Sequence, residues 1–273
     1  MSEAARSPTI PCVLVYSSRD RARGFSRGSS PHRFGHTVVA RTVQEFDRAI
    51  RCDLIDAAVV DVGGHGDDAW IVGERAADFP STPFFALLPL RTTDGSAVAR
   101  CAALGFADVL CERVDDPCAS ELIAPQSYSA RFARALAEPP AALGLVSGTQ
   151  RKAWQAIVRF GGRPVTTSML AAEIGITREH LSRNFARGKG ANLKRVIDLV
   201  RLISAAELSK NPGYDVRDVA AVLGFASSSH LAVTTQRIAS TRPASLSGLR
   251  AVDLIDRFVQ GRTRSRVAGH EGL

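Results

Sequence analysis

Residues 168–187 are SMLAAEIGITREHLSRNFAR, and residues 216–238 are VRDVAAVLGFASSSHLAVTTQRI. Each stretch combines a short segment of helical apolar periodicity, a glycine, and a second segment with apolar residues on one face. Gly175 and Gly224 hold the same place in the two stretches, 49 positions apart. Because glycine readily adopts the left-handed conformation that ends a helix, each stretch predicts a helix, a tight turn and a second helix. Two copies are more specific than one, since any helical hairpin with a glycine turn matches a single copy.

A third segment with helical periodicity lies between the two copies. Its apolar residues recur on one side, and charged residues lie toward the other: Leu193, Val196, Ile197, Val200, Ile203 against Lys194, Asp198, Arg201. A helix over residues 192–210 would be roughly 28 Å long at ~1.5 Å per residue. That length suits a strut that holds two recognition helices about one DNA turn apart, roughly 34 Å, in successive major grooves.

Over residues 167–250 the chain resembles the DNA-binding module of the AraC/XylS family. The matching stretches are LAAEIGITREHLSRNF in the first unit, RLISAAEL in the connecting helix, and DVAAVLGFASSSHL with Pro243 and Arg250 in the second. The resemblance implies an all-α domain with two helix-turn-helix units, in a bacterial-type regulator that binds double-stranded DNA in the major groove. It also implies action on transcription without catalysis, with RNA polymerase as a candidate partner.

Three positions late in this module depart from the family pattern. The family usually has an aromatic residue where Thr235 stands, a glycine where Ser240 stands and a threonine where Arg242 stands. We therefore expect a second unit that is looser, or that contacts DNA mainly through the DNA backbone.

In the first unit, helix geometry predicts a DNA-facing side opposite Leu181 and Phe185. Arg183 is the first choice for reading a base, because arginine can donate to O6 and N7 of guanine together. A contact to phosphate alone is the alternative for Arg183. The candidate DNA-binding residues of this unit are Thr177, Arg178, Glu179, Ser182, Arg183 and Arg187, of which Arg178 and Arg187 are better placed for phosphates.

In the second unit, Val233 stands where the family commonly has an arginine. Valine can touch a thymine methyl group but cannot hydrogen-bond to a base, so we expect weaker sequence reading here. His230 is interpreted as a packing or phosphate residue and not as a metal ligand. The candidate DNA-binding residues are Ser228, Ser229, His230, Val233, Gln236 and Arg237.

The first half of the chain alternates short apolar runs with helical segments. The predicted strands are residues 11–16, 36–40, 57–62, 83–90 and 107–111, and the predicted helices are residues 42–51, 67–79, 95–104 and 127–137. This alternation predicts an α/β domain with a five-stranded parallel sheet covered by helices on both sides. The predicted domains are residues 1–138 and 151–273, with a Pro, Gly and Ser-rich break between them.

Residues 11–137 resemble the receiver domain of response regulators, which has a flavodoxin-like fold. The resemblance makes Asp61, at the end of the third strand, the candidate phosphoacceptor. The other residues of that chemistry differ: Ser17, Ser18 and Arg19 precede Asp20 where receivers have an acidic pair for Mg²⁺, and Leu88 and Glu112 replace a hydroxyl residue and a lysine. We therefore expect a degenerate receiver-like domain that supplies dimerisation or signal input.

Two alternatives stay open at this point. One is a true phospho-accepting response regulator that uses Asp61. The other is a metal-dependent enzyme built around Asp61 and His65, in the loop DVGGHGDD. Glycine and aspartate in such loops more commonly serve turn geometry and helix capping, so we expect no catalytic residue, no metal and no cofactor.

Charge and composition agree with this organisation. Residues 1–150 carry a net charge of −3 and residues 151–273 one of +11, which together give the chain's +8. The basic excess favours a polyanionic partner for the second half. The five cysteines show no C-x-x-C spacing, and no apolar run is long enough to span a membrane, so we expect a cytoplasmic protein with reduced thiols, no membrane partner and a possible homodimer.

Overall fold

The computed structural model describes residues 12–19, 36–64, 66–187 and 191–267. The chain forms two compact units. Unit 1 extends to Arg131 and also includes Asn211–Tyr214, and unit 2 comprises Phe132–Lys210 and the residues from Asp215 onward. The domain limits predicted from the sequence, 1–138 and 151–273, remain a proposal, and the packing units differ from them at residues 132–150 and 211–214.

Unit 1 is built on a five-stranded parallel sheet, as predicted. The strands are β1 (Cys12–Tyr16), β2 (His36–Ala40), β3 (Ala57–Asp61), β4 (Phe84–Leu88) and β5 (Asp108–Cys111). Their order is β2-β1-β3-β4-β5, which is the flavodoxin-like order. Every residue of β3 and β4 is buried, which explains why these strands are continuous apolar runs in the sequence.

Helices follow the strands of unit 1. They are α1 (Val43–Cys52), α2 (Asp67–Glu74), α3 (Gly95–Ala103), α4 (Ala119–Ile123) and α5 (Tyr128–Ala135). The helix predicted over residues 67–79 is shorter, because it ends at Glu74 and continues as a 3-10 turn over Arg75–Ala77. Helix α4 was not predicted, and its Ala119 and Ile123 are buried in one cluster with side chains of the sheet.

The segment Asn211–Tyr214 is tied to the rest of unit 1 by several contacts. The Ser81 hydroxyl donates to Asn211 Oδ1 at 2.7 Å, and the Tyr214 hydroxyl donates to the carbonyl of Ile50 at 2.9 Å. The Tyr214 ring also meets Phe79 edge-on, with 4.8 Å between ring centroids. These contacts explain why the segment packs as part of unit 1.

The described residues of unit 2 form helices joined by turns and loops, with no strand among them. Its helices are α6 (Gly148–Arg159), α7 (Thr167–Glu173), α8 (Arg178–Arg187), α9 (Leu193–Leu208), α10 (Val216–Val222), α11 (Ser228–Ala239) and α12 (Ala251–Val267). The predicted connecting helix, residues 192–210, is confirmed with slightly shorter ends. Helix α9 begins after Asn192, whose side chain accepts from the Lys194 amide, and ends at Leu208.

The turn between α6 and α7 lies very close to α9. Gly162 has φ of +92°, and a Cβ atom there would lie 2.4 Å from the side chain of Ser204. The Ser204 hydroxyl donates to the carbonyl of Gly161 at 2.8 Å. Only glycine fits both the backbone conformation and the space at this position.

Asp56 is a fully buried carboxylate that joins two parts of unit 1. It accepts from the amide of Cys12, where β1 begins, at 2.8 Å, and from the amide of Ser129, in the first turn of α5, at 3.0 Å. A carboxylate at a helix N-terminus also interacts favourably with the helix dipole. Asp56 therefore fixes the start of α5 against the start of β1.

We expect Asp56→Ala to lower the free energy of unfolding by about 3 kcal/mol, because two backbone amides lose a buried charged acceptor. Urea denaturation of the full chain measures this loss. Asp53→Ala, at an exposed position three residues earlier, should change stability by less than about 0.5 kcal/mol. Equal effects of the two substitutions would contradict the role given to Asp56.

Candidate DNA-binding interface

The turn of the first unit has the hydrogen-bond pattern of a Schellman motif. Gly175 has φ of +71°, and its amide donates to the carbonyl of Ala172 at 3.2 Å. The amide of Ile176 donates to the carbonyl of Ala171 at 2.9 Å. These two bonds end α7 and redirect the chain toward α8.

The turn of the second unit repeats this pattern. Gly224 has φ of +64°, its amide donates to Ala221 at 2.9 Å, and the amide of Phe225 donates to Ala220 at 2.8 Å. The surroundings differ, however. A Cβ atom on Gly224 would lie 2.6 Å from Cγ of Pro164, whereas a Cβ atom on Gly175 would meet nothing within 4 Å.

Both recognition helices begin with a hydroxyl cap. The Thr177 side chain accepts from the His180 amide at 3.2 Å, and the Ser227 side chain accepts from the His230 amide at 3.1 Å. One extra residue separates Gly224 from its cap, so the two units correspond at an offset of 49 at the glycines and 50 at the caps. Counted from the caps, Arg183 corresponds to Val233.

Helix α8 has one buried and one exposed face, as the sequence predicts. Leu181 and Phe185 are buried. The exposed candidate residues of this unit are Thr177, Arg178, Glu179, Ser182 and Arg183. Arg187 ends α8, and its side chain lies outside the described part of the structure. Gln150 on α6 holds this helix in place, because its side-chain amide donates to the carbonyl of Asn184 at 3.2 Å.

Helix α11 buries Leu231 and Ile238 and exposes most of its candidate residues. Ser228 is half-buried, whereas Ser229, His230, Val233, Gln236 and Arg237 are exposed. Val233 is 65% exposed, so its position on the outer face leaves an apolar side chain in solvent. The outer face of α11 is thus less polar than that of α8 at the position where α8 carries Arg183.

His230 and Arg237 have partners within the domain. His230 Nδ1 accepts from the Ala226 amide at 3.4 Å, and its ring meets Phe225 edge-on. This geometry gives His230 a packing role. The Arg237 guanidinium donates to Asp198 on α9 at 2.7 Å, so Arg237 is held at the edge of the exposed face.

Arg201 on α9 supports the turn of the second unit. Its guanidinium lies 4.0 Å from the centroid of the Phe225 ring and donates to the carbonyl of Leu223 at 2.9 Å. Burial lowers the pKa of Arg201 from its ordinary value, and the nearby Asp198 carboxylate offsets part of this effect. The sequence placed Asp198 and Arg201 on the polar side of the helix but did not reveal that both position the second unit.

Two departures from the family pattern have local consequences in α11. Thr235 is fully buried, and its hydroxyl donates to the carbonyl of Leu231 at 2.8 Å, within the same helix. Ser240 ends α11 in the left-handed conformation, with φ of +50°. A glycine would adopt this conformation without strain, whereas the serine Cβ makes it unfavourable.

The candidate phosphoacceptor, Asp61, lies at the carboxyl edge of the sheet in unit 1. Its side chain is 1% exposed and is paired with Arg19, through Arg19 Nε at 2.8 Å from Asp61 Oδ2 and through Arg19 Nη2 to Asp61 Oδ1. The Ser17 hydroxyl donates to Asp61 Oδ2 at 2.8 Å. Glu112 follows β5, with Oε2 3.7 Å from Arg19 Nη2.

The described residues give little support to a metal-dependent enzyme built around Asp61 and His65. His65 lies outside them, and among them no group of three or more His, Cys, Asp and Glu side chains is arranged to hold a metal ion. No helix in this part of the chain is both long and apolar enough to cross a membrane.

Unit 2 thus contains two helix-turn-helix units with exposed recognition faces, which is the geometry of a DNA-binding domain. Residues 170–247 match the family described as a helix-turn-helix domain. The matched residues therefore form a helix-turn-helix domain, which agrees with the resemblance of this segment to the AraC/XylS module. No curated protein matches the chain at a significant level.

Three solved structures show a weak likeness to the chain. They are a response regulator from Burkholderia pseudomallei with a phosphorylated aspartic acid, calcium ion and citrate (16% identity, 63% of this chain and 97% of that chain, TM-score 0.35), full-length FixJ from B. japonicum (16%, 69% and 95%, 0.36), and the response regulator ChrA of a heme-sensing two-component system (14%, 69% and 95%, 0.34). TM-scores of 0.34–0.36 do not support a conclusion about function.

The two glycine turns predict unequal sensitivity to substitution. Gly175→Ala should lower the free energy of unfolding by about 1 kcal/mol. The only cost is that alanine is strained in the left-handed backbone conformation, since its Cβ meets no neighbouring atom. Gly224→Ala should cost about 3 kcal/mol, because the Cβ also overlaps Pro164. Urea denaturation of both variants tests this, and equal losses would show that the contact with Pro164 is easily relieved.

Replacing the left-handed serine should stabilise the protein. We expect Ser240→Gly to raise the free energy of unfolding by about 0.5–1 kcal/mol, since glycine relieves the strain at φ of +50°. Ser245→Gly is the matched control, because Ser245 is exposed in a 3-10 turn without positive φ, and there glycine should destabilise by a similar amount. A loss of stability in both variants would contradict the strain at Ser240.

Proposed function

We propose that this protein binds double-stranded DNA in a sequence-specific manner and regulates transcription without catalysis. The observation that carries the proposal is the repetition of one geometry: two helices, α8 and α11, each follow the same glycine turn and the same hydroxyl cap. Each presents an exposed face opposite its buried residues. Such a face is what enters a major groove in helix-turn-helix proteins.

The charge distribution along the chain also supports DNA as the partner. Residues 151–273 carry a net charge of +11, whereas residues 1–150 carry −3. A basic DNA-binding unit gains affinity by neutralising phosphates and releasing counterions. We infer that binding weakens steeply as salt concentration rises.

The two recognition helices contribute unequally to specificity. Arg183 lies on the exposed face of α8, where its guanidinium can reach a guanine edge. Val233, at the corresponding place on α11, can only make apolar contact with a thymine methyl group. Arg237 is held by Asp198 and is suited to a phosphate contact at the edge of the groove. We infer that α8 reads bases and that α11 mainly fixes position on the DNA.

We propose as DNA-contacting residues the set predicted from the sequence. It comprises Thr177, Arg178, Glu179, Ser182, Arg183 and Arg187 in the first unit and Ser228, Ser229, His230, Val233, Gln236 and Arg237 in the second. His230 takes part through its helix cap and its packing on Phe225. We further propose that unit 1 supplies dimerisation or signal input, and that RNA polymerase is a partner once the protein is bound to DNA.

Arg183→Ala should weaken binding to a specific site by about 10- to 100-fold, because a bidentate arginine–guanine contact is worth about 1–3 kcal/mol. Binding to unrelated DNA should change little, so the ratio between specific and unrelated DNA should fall. The measurement is binding of the full chain to its own upstream DNA at two salt concentrations, with unrelated DNA as competitor.

Arg178→Ala is the matched comparison for a phosphate contact. It should weaken binding to all sequences by a similar factor and reduce the dependence of log affinity on log salt by about one. Weak binding that is equal on all DNA in the wild type, and unchanged by Arg183→Ala, would overturn the proposed function.

A further inference from the structure

The carboxyl edge of the sheet in unit 1 contains a buried carboxylate whose charge is already balanced. The side chain of Asp61 is 1% exposed, and both of its oxygens accept hydrogen bonds from the chain. Oδ1 accepts from Arg19, and Oδ2 accepts from Arg19 Nε and from the Ser17 hydroxyl, each at 2.8 Å. A buried carboxylate without such partners would be strongly destabilising.

The receiver-like fold implies a Mg²⁺ ion beside this carboxylate, and the residues present do not fit one. Magnesium needs oxygen ligands in octahedral geometry. Here Ser17 and Arg19 follow β1 in place of acidic ligands, and the Arg19 guanidinium already pairs with both carboxylate oxygens of Asp61. We therefore derive no phosphoryl transfer through this site.

We propose that Arg19 is the permanent cation of this site and takes the place of a divalent metal ion. Its guanidinium neutralises Asp61 at the end of β3 and lies 3.7 Å from Glu112 after β5. Arg19 itself follows β1, so one side chain connects the ends of three parallel strands. These contacts are made by the chain alone.

The glycine pair after β3 lies next to the Arg19 guanidinium. A Cβ atom on Gly64 would lie 3.4 Å from Arg19 Nε, and one on Gly63 would lie 2.7 Å from Cδ of Pro89 and 3.7 Å from Arg19 Nη2. The loop therefore passes beside the guanidinium at ordinary contact distance, and the tight approach at Gly63 is to Pro89. The loop that suggested a metal site in the sequence instead lies beside an arginine side chain.

Charge balance gives the proposal a second consequence. Among the described residues, the positive charge of Arg19 lies close to the negative charges of Asp61 and Glu112. Without the Arg19 guanidinium, two carboxylates share a buried site. They supply the negative charge and the oxygen ligands that a divalent cation requires. The wild-type chain should thus ignore divalent cations, and loss of Arg19 should create a site for them.

A double-mutant cycle on the full chain tests the pairing. Arg19→Ala should lower Tm by about 10 °C, because removing one partner leaves a buried charge uncompensated. Arg19→Ala combined with Asp61→Asn should recover more than half of this loss. If Arg19→Ala fails to fold, Arg19→Gln takes its place, because glutamine keeps an N–H donor near Asp61. We expect Arg19→Gln to lower Tm by less than Arg19→Ala, and the addition of Asp61→Asn again to recover more than half of the loss.

The pair between Arg75 and Asp47 is a matched control. It has the same bidentate geometry, with Arg75 Nε 3.0 Å from Asp47 Oδ1 and Nη2 3.2 Å from Oδ2, but both side chains are about one-third exposed. Arg75→Ala should therefore lower Tm by only about 2 °C.

Calorimetric titration with Mn²⁺ completes the test. We expect saturable binding to Arg19→Ala, none to the wild type, and none to Arg19→Ala with Asp61→Asn. Wild-type protein incubated with acetyl phosphate and Mg²⁺ should show no mass increase on Asp61. Additive Tm effects in the cycle, Mn²⁺ binding by the wild type that Asp61→Asn abolishes, or phosphorylation of wild-type Asp61 would each overturn the proposal.

Discussion

Unit 2 depends on the burial of α9. Twelve of its sixteen residues are buried, so the polar side chains along it must find partners inside the unit. Ser204 donates to the turn before α7, Arg201 to the turn of the second helix-turn-helix unit, and Asp198 accepts from α11. The need to satisfy these groups gives the helix a defined rotation. It also fixes the second recognition helix relative to the centre of the unit.

The two helix-turn-helix units are attached in different ways. The first is held through α6, where Gln150 donates to the carbonyl of Asn184 on α8. The second is held through α9 by an ion pair and by the stacking of Arg201 on Phe225. The unit held through α9 is also the one whose outer face has an exposed valine in place of an arginine. Structural support and base-reading capacity are thus divided between the copies.

Features with a local period could be predicted from the sequence. Apolar spacing and turn residues predicted the glycine turns, the recognition helices, the parallel strands and the position of Asp61. Each of these features depends on residues that are close together in the sequence. The pairs of Arg19 with Asp61 and of Asp198 with Arg237 join residues about 40 positions apart. The sequence showed Arg19 as a departure from the receiver pattern, but only the folded sheet brings its guanidinium onto the carboxylate. The short helix α4 also escaped prediction, since five residues give too little periodicity.

The extra residue between Gly224 and Ser227 shows where the duplicated unit tolerates a change in length. The turn and the cap are each fixed by hydrogen bonds, whereas the chain between them absorbs one more residue without altering either. Module length and recognition surface can therefore evolve independently. An insertion at this point leaves unchanged which residues lie on the outer face of the helix. A new binding preference can therefore arise by substitution on α8 or α11, separately from a change in the length of the turn.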